Sequence, residues 1–70
     1  MKIHVLIVDK TTGISQTGGI DEPVVKNKEV ENALAHFGVQ YGTIIWDYQS
    51  NIWGRGVIEG TSKVVHYECI

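Results

Sequence analysis

The sequence predicts a small α+β domain: an antiparallel sheet in the order β-α-β-β-β, with one helix packed on one face. Three observations carry that reading. An apolar run occupies residues 3 to 8, an amphipathic stretch occupies 28 to 37, and three strand-like segments follow residue 41, joined by short polar connections. With 70 residues the chain makes a single domain, 1–70, able to bury only roughly 60% of its unfolded surface. The 43% hydrophobic and 20% charged content with a single proline is that of a folded chain, not a disordered tail.

Residues 3 to 8 are aliphatic except His4, and apolar groups on both alternating faces predict a strand inside a sheet. The run is too short for a signal-peptide core or a membrane span, so neither is expected. His4 is expected at the core boundary. From Asp9 to Pro23 the chain is rich in Thr, Gly, Ser and Asp, which predicts a long Gly/Thr loop over 9–23, with a ragged hairpin around Ile14 as the alternative within it.

Val30, Ala33, Leu34 and Phe37 follow the spacing of one helical stripe. Asn27 is placed to cap the start, Glu29 and Glu31 suit the positive end of the dipole, His36 lies near the negative end as a surface residue, and Gly38 stops the helix.

The second half divides into strands from Tyr41 to Tyr48, Ile52 to Glu59 and Ser62 to Cys69. Gly60 is read as the leading residue of a two-residue type II′ turn. Counting outward from the two connections sets Gly54 between Trp46 and Tyr67, and Gly56 between Ile44 and Val65. Large side chains would then cover glycines of the middle strand. The resulting core face holds Ile44, Trp46, Tyr48, Ile52, Ile58, Val65, Tyr67 and Cys69. The outer face holds Tyr41, Thr43, Ile45, Asp47, Trp53, Arg55, Val57, Val64, His66 and Glu68.

Function is sought on the outer face, where Asp47, Trp53 and Glu68 should form one cross-strand row and Ile45, Arg55 and His66 the next. Trp, Tyr and Arg dominate binding hot spots, and an apolar strip is costly to leave in water. Tyr41, Ile45, Asp47, Trp53, Arg55, His66 and Glu68 are therefore the candidate protein-binding residues. The plain alternative is ordinary cross-strand pairing, with Arg55 between carboxylates and over Trp53.

Other chemistry finds little support in the sequence. Asp47, His66 and Glu68 could do acid-base work only in a cleft, and a flat sheet face offers none, so no catalytic residue is assigned and an enzyme is not expected. His4, His36, His66 and Cys69 lack the close pair spacing of a zinc module, and no metal or other cofactor is expected. The segment Gly13 to Gly19 lacks the lysine of a phosphate-binding loop. A net charge of -2 and scattered basic residues disfavour nucleic acid as a partner. The lone Cys69 cannot form an internal disulfide, which points to a reducing, cytoplasmic setting. Self-association into a homodimer, through the outer face or by edge pairing, is the alternative way to support so small a core.

Met1-Lys2 with Val5-Leu6-Ile7, Tyr41-Gly42-Thr43-Ile44 after the helix, Trp53 in the next strand and Cys69 near the end give the chain an order that resembles small phage-encoded type I-F anti-CRISPR proteins. The resemblance implies a non-enzymatic inhibitor that binds a crRNA-guided surveillance complex, a ribonucleoprotein, and blocks target DNA. The net negative charge and the Gly/Thr-rich segment depart from the basic surface such a member would use, so no binding residue is carried over from that family.

Overall fold

The computed structural model describes residues 1–24 and 28–70. Its strands are β1 (Lys2–Asp9), β2 (Ser15–Asp21), β3 (Ile44–Gln49), β4 (Trp53–Ile58) and β5 (Lys63–Cys69), with one helix, α1 (Glu29–Ala35), and a short 3-10 turn at Tyr41–Thr43. The five strands form one antiparallel sheet in the order β2-β1-β5-β4-β3. The domain is α+β, as the sequence predicts, with one strand more than expected.

That extra strand corrects the loop expected over 9–23. β2 pairs residue for residue with β1 from Val8↔Ser15 to Lys2↔Asp21. Ser, Gln and Gly have little strand preference of their own, so the pairing with β1 imposes the conformation. The hairpin turns at residues 10 to 14, where the Gly13 amide donates to the Asp9 carbonyl at 2.8 Å and Gly13 takes a φ of +76°. The Asp9 carboxylate organises this corner: it accepts from the Thr11 amide at 2.9 Å and from the Ser62 hydroxyl at 2.7 Å. The Ser62 hydroxyl, then the Thr11 amide, hold the Asp9 carboxyl below the ordinary carboxylate range.

β1 alternates cleanly. Ile3, Val5 and Ile7 are buried, whereas Lys2, His4 and Leu6 point to the outer face. His4 is thus a solvent-facing residue, 3.3 Å from the Thr17 hydroxyl, and not a core-boundary residue.

α1 lies on the other side of the sheet and seals it with Ala33 and Leu34, both fully buried, flanked by Val30 and Phe37. It is shorter than the expected 28–37. After Ala35 the chain tightens into i→i+3 bonds and closes with the Val39 amide on the Leu34 carbonyl at 3.1 Å, a Schellman-type end with Gly38 at φ +74°. Asn27, the expected cap, lies outside the described residues. His36 is exposed, with Nε2 3.0 Å from an oxygen of the buried Glu22 carboxylate.

The meander β3-β4-β5 keeps half of the expected register. β4 and β5 pair as counted, with Gly54 opposite Tyr67 and Gly56 opposite Val65. Gly60, however, is the third residue of its turn, closed by the Thr61 amide on the Ile58 carbonyl at 3.1 Å, and not the leading residue of a type II′ turn.

The β3-β4 register differs. Trp46 faces Gly56, Gln49 faces Gly54, and a bulge at Asp47 separates Trp46 from Tyr48. One inserted residue reverses the alternation beyond it. Ile44 and Trp46 therefore face the core, but Tyr48 emerges on the outer face, against expectation. Ile52 also leaves the core: it precedes β4 in the connection and is 64% exposed.

Candidate protein-binding face

Ser15, Val8, Val64, Val57 and Ile45 run across the outer face in one row. Thr17, Leu6, His66, Arg55 and Tyr48 form the next, and His4, Glu68 and Trp53 the third. The whole sheet thus presents one broad surface opposite the helix.

At its β3-β4-β5 end three rings lie almost parallel. Tyr48 stacks on Trp53 with centroids 4.4 Å apart and planes at 26°, and Trp53 stacks on His66 at 5.6 Å and 28°. Both contacts are diagonal ones between neighbouring strands, and each such pair contributes about 0.5–1.5 kcal/mol beyond its buried area. Trp53 is 38% exposed and Tyr48 49% exposed even so, and Ile45 and Leu6 add open apolar area beside them. The rim is polar. His66 Nε2 lies 3.1 Å from Glu68 Oε1, and Asp47 stands exposed in the bulge. Arg55 is exposed and makes no ion pair among the described residues, so the expected arrangement of Arg55 between carboxylates is not formed.

Of the candidate residues, Ile45, Trp53, Arg55, His66 and Glu68 share this surface, and Asp47 borders it. Asp47 does not join the Trp53-Glu68 row, because the bulge removes it from the pairing. Tyr41 does not belong to this face. It sits in the 3-10 turn on the helix side, packed against the core, with its ring 5.7 Å from Trp46 and its hydroxyl accepting from Gln49. Tyr48, Leu6 and His4 belong to the face and were not among the candidates. The alternation of β1 could have found His4 and Leu6; nothing in the sequence marks the bulge that turns Tyr48 outward.

On the opposite side the same strands are closed. Tyr67 is 1% exposed, lies over Gly54, meets Trp46 edge-on at 5.6 Å, and donates its hydroxyl to the Ser50 carbonyl. Burial pushes its phenol above the usual value, and burial does the same for the Cys69 thiol, helped by the Glu29 carboxylate.

Of the three residues weighed for catalysis the structure brings His66 and Glu68 together at 3.1 Å and leaves Asp47 apart, and the histidines weighed as metal ligands are dispersed. His66 and Glu68 lie on the open sheet face with Asp47 set apart in the bulge, His36 pairs with Glu22 at the helix end, and His4 neighbours Thr17. Among the described residues no group of three or more His, Cys, Asp or Glu is placed to hold a metal ion. No helix among them is long and apolar enough to cross a membrane. Comparison of the chain with protein families, curated proteins and solved structures gives no match.

Proposed function

We propose that this chain is a non-enzymatic protein-binding module that acts as an inhibitor through the outer face of its sheet. One observation carries the reading: the Tyr48-Trp53-His66 stack lies on the open face, with Tyr48 49% and Trp53 38% exposed, and no other described part of the chain covers it. Rigid rings lose little conformational entropy on binding, and with an adjacent Arg they are the side chains that most often dominate interface energies. The partner surface that fits is itself part apolar, with groups of both signs to meet Arg55, Glu68 and Asp47. A phosphate backbone fits poorly, because acidic and basic groups are interspersed on the face.

The resemblance in the sequence supplies the first partner to try, a crRNA-guided surveillance complex of type I-F, in a cytoplasmic setting compatible with the unpaired Cys69. Binding of the purified complex is to be measured for the unaltered chain and for Trp53→Ala/Arg55→Glu. Binding that this variant loses while its unfolding transition is retained supports the outer face. Equal binding by both contradicts it, and no binding by either removes this complex as the partner. A photo-crosslinker at Ile45 then identifies the protein the face touches in cells.

A further inference from the structure

The two edges of the sheet are built differently. β3 is broken by the bulge at Asp47, a device that stops further strands from adding. β2 has no proline, no lysine and no bulge, and its pairing with β1 is uninterrupted.

The direction of its free groups follows from two bonds. The Asp9 amide donates to the Ile14 carbonyl at 2.9 Å, and the Glu22 amide donates to the Met1 carbonyl at 2.9 Å. In the intervening one-to-one register bonded pairs recur at every second residue. Gln16, Gly18 and Ile20 therefore bond β1, while the amides and carbonyls of Ser15, Thr17, Gly19 and Asp21 point away from it along the open edge. All four residues are exposed.

We propose that this edge pairs antiparallel with the same edge of a second copy of the chain, about a two-fold axis at Gly18. That axis sets Ser15 opposite Asp21 of the second copy and Thr17 opposite its Gly19. Every outward-facing residue then meets another outward-facing residue, and about eight backbone hydrogen bonds close. The side chains agree with this register. Among the described residues neither the Ser15 hydroxyl nor the Asp21 carboxylate has a partner within its own chain, and each end of the pairing places one against the other, hydroxyl to carboxylate. Gly18 and Gly19 have no side chain of their own at the centre, where the Phe37 ring lies over Gly18 and the Lys2 side chain over Gly19. A dimer of this form is one continuous sheet with both helices on one side and both outer faces on the other. The two Tyr48-Trp53-His66 stacks then lie on the same face of that sheet, toward its two ends. The interface is separate from the stack and stands or falls independently of the protein-binding reading.

The test combines sedimentation with amide hydrogen exchange on the full chain, from micromolar to millimolar concentration. Expected is a concentration-dependent dimer, with the amides of Ser15, Thr17, Gly19 and Asp21 slowing at least tenfold as it forms while those of Gln16 and Gly18 stay unchanged. Thr17→Pro removes one outward amide without touching the β1 bonds, and Thr17→Lys puts a charge on the edge; both should remain folded and monomeric. A monomer throughout the range, or a dimer that survives both substitutions, overturns the proposal. So does a dimer that Trp53→Ala abolishes and Thr17→Pro spares, because its interface would be the outer face.

Discussion

Tyr67 and Trp53 are ring-bearing residues on neighbouring strands, yet they do opposite things. Tyr67 covers a glycine, is closed off by the helix side of the domain, and satisfies its hydroxyl on the Ser50 carbonyl. Trp53 lies between two other rings and keeps more than a third of its surface in water. The difference separates two kinds of work. The core face closes its rings away from water, and the outer face stacks its rings while leaving part of their area open.

Substitutions should therefore affect the two faces unequally. The largest effect is expected at Gly54. A Cβ there would overlap the edge of the Tyr67 ring, 2.8 Å from Cζ and 2.9 Å from the hydroxyl oxygen, so Gly54→Val should cost about 3 kcal/mol of stability in urea unfolding. A shift under about 0.5 kcal/mol would mean that Tyr67 does not rest on β4. Leu34→Ala, which leaves a cavity under α1, should cost about 2–3 kcal/mol.

Tyr67→Phe removes the hydroxyl bond to Ser50 and should cost about 1 kcal/mol. The same variant also reports on the hydroxyl proton at high pH. The folded-state phenol titrates above its unfolded value of about 10, so the folded chain holds that proton longer. Its contribution is complete below pH of about 10 and is lost as pH rises toward the folded value. The stability difference between the unaltered chain and Tyr67→Phe should shrink over that rise; a difference independent of pH would contradict a buried, bonded hydroxyl.

Asp9 titrates in the opposite sense. Its carboxyl is held low in the folded chain, so its contribution is present above the ordinary carboxylate range and is lost as pH falls through the folded value. Acid unfolding of Asp9→Asn should show a weaker dependence on pH there than the unaltered chain.

Much of the core face could be read from the sequence, because it rests on local patterns. The Val30, Ala33, Leu34 and Phe37 stripe gave the helix its buried side, Gly38 its stop, and the short turn at Gly60 the β4-β5 register. Two features could not be read. β2 is a strand of Ser, Thr and Gly whose conformation comes from β1, a long-range partner that no local preference reveals. The bulge at Asp47 depends on how β3 accommodates the connection to β4, and turn counting assumes an unbroken alternation. That single residue moved Tyr48 from the expected core to the outer face. It also made the exposed stack larger than the sequence implied.

The division of labour between the faces is tested by one paired measurement on Tyr48→Ala/Trp53→Ala: its unfolding free energy, and its binding to the partner that crosslinks at Ile45. Losing both stacking contacts and the area they bury should lower stability by about 2–4 kcal/mol, so binding is compared per folded molecule, where it should fall at least a hundredfold. Binding that persists at full strength, or that declines only as far as the folded fraction does, would contradict a recognition surface on the outer face.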